Sequence, residues 1–188
     1  ETLFKFLTSK KIFEIARNYL GNEFRLKCHR VYSKAPLIPD PWHTDDRRYG
    51  NKFKVKGFVG LVYLNDVFKG EFQAIKGSHL ISKNYKYHDF HTDIVKEFNK
   101  DIVSFKLPLG SIVIFDIRTI HRAKKYFSPL WRRKSLFFQI DDELNDAEKV
   151  LINPRFINNM DKTLFTYLGM GKKSDMPLEP ATSDVKTL

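Results

Sequence analysis

The sequence is short of cysteine, of long apolar runs and of acidic residues, and each shortage removes a class of protein. Cys28 is the only cysteine, so no internal disulfide forms, which agrees with a reducing compartment. No apolar run reaches the roughly 18 to 20 residues of a membrane-spanning helix, and the first residues lack the charged, apolar and small-residue order of a signal peptide. A soluble, cytoplasmic protein is expected. The chain opens on Glu1 rather than Met, which leaves room for a native segment ahead of it. Asp and Glu number 22 against 33 Lys and Arg, a formal charge of +11 that attracts anionic partners in general. The basic residues are scattered, with small clusters at Arg47 and Arg48, at Lys124 and Lys125, and at Arg132, Arg133 and Lys134. That pattern reads first as a solvated basic surface.

What the sequence does have is aromatic mass. Hydrophobic residues make up 42% and aromatic residues 14%, with 17 Phe, enough apolar surface to offset the entropy of ordering the chain. Its 188 residues suit a single domain. We expect that domain over residues 1–170, with its β core at about 23–141, and a polar, loosely ordered tail over 171–188.

Apolar Ile12, Phe13, Ile15, Ala16, Tyr19 and Leu20 recur at helical spacing, with Thr8 or Ser9 to cap the start and Gly21 to close the end. One amphipathic helix is predicted over residues 8–20. The period then changes to two, with Phe24, Leu26 and Cys28 alternating with Arg25, Lys27 and His29 in a strand that runs on to Tyr32. Further strands are predicted over 54–64, 71–75, 102–107, 111–116, 117–123 and 133–140, with a short one at His43. Tight turns are expected at Leu107-Pro108-Leu109-Gly110 and over 65–70. About eight short strands separated by turns predict a mainly β, cupin-like jelly roll. Residues 82–100 break the pattern: Ile94, Val95 and Phe98 are helically spaced, which predicts a helical insertion placed as a lid.

Two His-x-Asp triplets occur, His43-Thr44-Asp45 and His91-Thr92-Asp93. Alone the motif is weak. On a strand, residues i and i+2 share a face, so His43 and Asp45 can reach one metal. In a helix the same spacing turns two side chains about 200° apart, which sets His91 and Asp93 aside as a decoy. A third ligand is expected from a strand folded back against the first, and His121 closes the buried stretch from Gly110. His79 competes, but its Gly77-Ser78-His79 turn suits hydrogen bonding better. Two imidazoles and a carboxylate with open positions suit non-haem Fe(II).

Twelve residues beyond His121, Arg133-Lys134-Ser135 opens the last strand. A dicarboxylate cosubstrate needs a fork-shaped cation, and Arg133 and Ser135 share a face from which both can hold one carboxylate. The opposite register would turn Arg132 and Lys134 inward, at the cost of burying a lysine. Arg132 stays open as the alternative.

The ordered blocks Trp42-His43-Thr44-Asp45, Gly60-Leu61-Val62-Tyr63-Leu64-Asn65-Asp66, Gly70-Glu71-Phe72-Gln73-Ala74-Ile75-Lys76-Gly77-Ser78-His79, Gly110 to His121 and Arg133-Lys134-Ser135 together resemble the phytanoyl-CoA dioxygenase family. The resemblance implies a double-stranded β-helix, Fe(II) held by His43, Asp45 and His121, and 2-oxoglutarate as cosubstrate on Arg133. It implies hydroxylation of an unactivated carbon by dioxygen, with release of succinate and CO2. The substrate itself does not carry over; a small organic molecule is expected, and the basic charge would suit an anionic one. The family often carries Gly-Ser after the distal histidine, where this chain has Arg122-Ala123. Two other readings stand beside it: a cupin-like binding domain without turnover, and a nucleic-acid demethylase with the same metal chemistry. The lack of a second cosubstrate arginine on the last strand counts against the demethylase.

Overall fold

A computed structural model describes residues 1–34, 36, 41–46, 55–81, 97–128, 130–144 and 161–170. Its contacts divide into two compact units, one of Glu1–His29, Val55–Gly57 and Phe138–Leu188, the other of Arg30–Lys54 and Phe58–Phe137.

In the first unit the predicted helix is α2 (Lys10–Leu20), and a second helix that the sequence reading did not anticipate, α1 (Thr2–Leu7), precedes it. The break is local chemistry. Thr8 Oγ1 donates back to the Phe4 carbonyl at 2.8 Å, while extended Ser9 accepts from Ile12 N and starts a new helix. Of the two caps the sequence offered, Ser9 is the one used, and Gly21 closes α2 as expected, at φ +95° where a side chain would be strained. Helix α2 turns Ile12 and Ala16 inward. Its Phe13 meets Phe24 and Tyr167 at ring-centroid distances of 5.5 and 4.7 Å, and the Tyr167 hydroxyl donates to the Leu7 carbonyl. Burial holds that phenol well above its usual titration range. Tyr167 belongs to a short helix, α3 (Lys162–Tyr167), whose first turn is capped by the Asp161 carboxylate. Each such aromatic burial contributes about 1.5 to 3 kcal/mol. Lys27, also buried, pairs with Asp141 at 3.3 Å and Glu143 at 2.8 Å.

Among the described residues seven strands follow α2: β1 (Arg25–Lys34), β2 (Gly57–Tyr63), β3 (Phe72–Ile75), β4 (Ile102–Phe105), β5 (Ile112–Asp116), β6 (His121–Ala123) and β7 (Arg133–Asp141). They form a four-stranded sheet in the order β1-β7-β2-β5 and a three-stranded sheet in the order β4-β3-β6. The pairings of β2 with β5, and of β3 with β4 and β6, are antiparallel. Within the second unit, Leu61 and Tyr63 of β2 and Val113 of β5 pack with Phe72 and Ala74 of β3 and with Val67. Ile75, one residue on and therefore facing the other way, packs with Trp42 and Ile120 in a separate cluster. This is the mainly β, double-sheet arrangement expected.

Two strands differ from the prediction in an instructive way. The stretch 117–123 forms a strand only over His121–Ala123, because Asp116 Oδ1 accepts from Arg118 N and the Asp116 carbonyl from Thr119 N, folding 116–119 into a turn. Ile117 and Ile120 are apolar because they are core, not because they are strand. The short strand at His43 is a single bridge to His121. The insertion predicted over 82–100 lies outside the described residues as far as 96, including His91 and Asp93; its end is a 3-10 turn at Asn99–Asp101. The tail over 171–188, Arg47 and Arg48, and the first residue of the strand predicted over 54–64 lie outside them too. No described helix is long and apolar enough to cross a membrane.

Candidate metal centre

The turn at Asp116 sends the chain back along an otherwise irregular segment, residues 42–46. Ile117 O accepts from Asp45 N at 2.9 Å and from Asp46 N at 3.1 Å, and His43 and His121 exchange backbone hydrogen bonds of 3.0 and 2.8 Å. A reciprocal pair of this kind sets two residues directly opposite each other with side chains on one face. Asp45, two residues on, shares that face. The outcome is that one nitrogen of each imidazole and one Asp45 oxygen all lie within 4.8 Å of one another.

The orientation of both rings is fixed by backbone. His43 Nδ1 sits 2.8 Å from the Pro41 carbonyl and His121 Nδ1 2.9 Å from the Thr119 carbonyl. A carbonyl only accepts, so each Nδ1 carries the proton and each Nε2 keeps its lone pair for a ligand. Asp45 Oδ2 is buried with no hydrogen-bond partner among the described residues, 3.4 Å from His121 Nε2. A buried carboxylate oxygen left in this state is costly, and a cation between it and the two imidazoles removes the cost. Phe72 and Phe115 stack on the His121 ring at 5.2 and 4.8 Å, walling the site with apolar surface. His79, the alternative third ligand, is half-buried in its turn and outside this group. Its neighbour Ser78 holds that turn in place, donating to Ile75 O and accepting from Ile120 N.

The reverse of the same strands carries a row that the sequence did not reveal. The Arg122 guanidinium lies 4.4 Å from the Trp42 ring centroid, Arg122 Nε donates to Gln73 Oε1 at 3.0 Å, and Gln73 Nε2 donates to Ser104 Oγ at 2.8 Å. Burial lowers the affinity of Arg122 for its proton.

On β7 the burial pattern decides the register: Arg133 is 2% and Ser135 0% exposed, while Arg132 and Lys134 face solvent. Asn65 locks it, donating to Arg132 O and accepting from Lys134 N. Arg133 Nη1 donates to Gly70 O at 2.8 Å and Nη2 to the Tyr32 hydroxyl at 3.2 Å. Its Nε and Ser135 Oγ have no hydrogen-bond partner, and no carboxylate pairs with this arginine among the described residues. Sequence reasoning missed Tyr32 and Gly70; the alternation of β1, with Tyr32 between outward Val31 and Ser33, was the available signal for Tyr32. Tyr63 is fully buried, its hydroxyl accepting from Phe72 N and donating to Phe105 O, and burial is the main reason its phenol titrates above the usual range.

A family model for phytanoyl-CoA dioxygenase matches residues 2–134. The chain belongs to the phytanoyl-CoA dioxygenase family. The match takes in His43, Asp45, His121 and Arg133 and ends one residue before Ser135. Among solved structures, this family member is similar to EvdO2 of Micromonospora carbonacea var. aurantiaca, complexed with 2-oxoglutarate, at 16% identity and a TM-score of 0.55 over 76% of this chain and 64% of that one. It is similar to EctD of S. alaskensis with bound Fe, at 17% identity and a TM-score of 0.60 over 74% and 52%. It is also similar to HygX of Streptomyces hygroscopicus with nickel and 2-oxoglutarate bound, at 14% identity and a TM-score of 0.59 over 78% and 70%. At these identities the likeness is one of fold. The chain spans less than two thirds of EvdO2 and about half of EctD. Comparison with curated proteins gave no match.

Proposed function

We propose that this member of the phytanoyl-CoA dioxygenase family is a non-haem Fe(II)- and 2-oxoglutarate-dependent dioxygenase that hydroxylates an unactivated carbon of a small organic substrate. In the balanced reaction, substrate, dioxygen and 2-oxoglutarate give hydroxylated product, succinate and CO2. The observation that carries the reading is the convergence of His43, Asp45 and His121 with both Nδ1 atoms occupied by backbone and Asp45 Oδ2 left, among the described residues, without a hydrogen-bond partner in a buried position.

His43 and His121 would hold the metal through Nε2 and Asp45 through its carboxylate, a facial set that leaves positions open. Fe(II), when bound, supplies the redox chemistry that couples decarboxylation of the ketoacid to oxygen insertion into a C–H bond. The chain's own part is placement. Arg133 offers a preorganised guanidinium, and Ser135 a hydroxyl, to the distal carboxylate of 2-oxoglutarate. Tyr32 and Gly70 keep the guanidinium aimed, and Phe72 and Phe115 keep water from the reacting side. The Fe and 2-oxoglutarate reported for the structurally similar proteins support the same assignment.

Anaerobic addition of Fe(II) and then 2-oxoglutarate tests it. A weak visible charge-transfer band that appears only with both present, followed by succinate release on admitting oxygen, is the expected result. Metal binding without either signal would make the chain a binding domain rather than an oxygenase.

A further inference from the structure

Lys124, Lys125, Arg132 and Lys134 have no part in the site described, and the fold gathers them with exposed apolar side chains. Three loops meet at one end of the second unit: Val67 N donates to Leu107 O, Leu109 N to Asp66 Oδ1, and Asn65 Nδ2 to Arg132 O. Phe68 from the first loop stacks on Trp131 from the third at 5.1 Å, and Tyr126 closes the other edge of that indole at 5.2 Å. Around this aromatic base stand Phe127, 76% exposed, and Leu130, 95% exposed, with Phe68, Leu64 and Leu109 also open to solvent. Single exposed apolar residues are ordinary; several on interlocked loops mark a contact surface.

The charge around that apolar tip is predominantly positive. Segments 64–71 and 124–134 carry six basic residues against two acids. Arg133 is buried in the site already described and Lys124 pairs with buried Glu71 at 3.2 Å, which leaves four cations unpaired among the described residues, against Asp66. Lys69, Lys125, Arg132 and Lys134 are exposed.

We infer that this end of the molecule docks on an anionic lipid bilayer, with Phe127 and Leu130 entering the interface and Lys69, Lys125, Arg132 and Lys134 facing the headgroups. Apolar side chains ringed by cations are what the boundary between headgroups and acyl chains accommodates. A second copy of the chain fits poorly, since a two-fold contact would set the same cations against one another. Nucleic acid fits less well: Leu130, at 95% exposed, and Leu109 give bases nothing to stack on, and Phe68 and Trp131 already pack on each other, which leaves Phe127 as the one remaining exposed ring among the described residues of the tip.

The chain has two tryptophans, and Trp42 is buried, so Trp131 reports on the surface. Titration with phosphatidylserine-rich vesicles is expected to shift the Trp131 emission to the blue and to bring the protein down with the vesicles, with little binding to pure phosphatidylcholine. Phe127→Ser combined with Leu130→Ser, and separately Lys69→Glu combined with Lys125→Glu, should each lower vesicle affinity about tenfold or more. Unchanged far-UV circular dichroism would show that both variants are folded. Failure of the wild type to bind anionic vesicles at low salt overturns the inference. So does binding that the apolar pair of changes leaves intact while single-stranded DNA competes for it, which assigns the surface to nucleic acid. Self-association that the apolar changes abolish, without vesicle binding, assigns it to a second copy.

Discussion

The Arg122 guanidinium stacks on Trp42 at 4.4 Å on the reverse of the strand pair whose front carries His43 and His121. Trp42 precedes His43 and Arg122 follows His121, so the contact clamps the irregular segment 42–46 to β6, and Gln73 and Ser104 tie the clamp to the sheet. A cation–π contact is worth about 0.5 to 2 kcal/mol. Arg122→Met should therefore weaken Mn(II) binding by up to about thirtyfold without touching a ligand. Arg122→Lys should lose less. Calorimetric titration of both variants checks it; wild-type affinity in Arg122→Met would mean that the backbone pairing alone positions His43.

Arg133 and Arg132 present opposite faces of β7. Arg133→Lys keeps the charge but loses the fork, and a charged hydrogen bond left unmade in a buried site costs about 1.5 to 3 kcal/mol. The 2-oxoglutarate dissociation constant should rise about ten- to a hundredfold, with metal binding unchanged. Ser135→Ala should act in the same direction more weakly. Arg132→Lys, on an exposed residue, should do almost nothing. The reverse order for the two arginines in a cosubstrate titration would move the cosubstrate to the other face of the strand.

Gly70 couples a turn to the same arginine. Its φ is +59°, a Cβ there would run into the Tyr126 ring, and its carbonyl accepts from Arg133. Gly70→Ala should cost about 1 to 3 kcal/mol of stability and weaken 2-oxoglutarate binding as the acceptor shifts. Denaturant unfolding and the cosubstrate titration read the two effects separately, and wild-type values in both would show that Tyr126 moves aside freely.

His29 gives a pH dependence of defined sign. Burial lowers its pKa below the usual 6.5, and its Nδ1 has no hydrogen-bond partner among the described residues. Between the lowered folded value and 6.5 the unfolded chain binds more protons, so stability rises with pH across that window and is lost as the pH falls through it. His29→Gln should flatten the decline. Thermal unfolding of both proteins as the pH is lowered from neutrality through the ordinary histidine range and below checks this; parallel curves would mean that His29 titrates alike in both states.

The fold class and the site were legible for the same reason, strand periodicity. Alternation placed Arg133 and Ser135 inward, and the His-x-Asp spacing placed His43 and Asp45 on one face. Where local side-chain bonding overrides periodicity the sequence misled, since Asp116 folds what looked like strand into a turn, and the six residues of α1 ahead of the Ser9 cap are too few to show a period. The partners of Arg133 and the Trp42 to Ser104 row come from residues up to 101 apart in the chain; alternation turns Tyr32 inward, but no local pattern records which residue it meets.

Metal binding by single alanine variants tests the central claim most directly. Calorimetric titration of Mn(II) into the wild type should give one site, lost in His43→Ala, Asp45→Ala and His121→Ala and retained in His91→Ala. Retention of that site in His43→Ala, with loss in His91→Ala, would contradict the account and move the metal to the other His-x-Asp triplet.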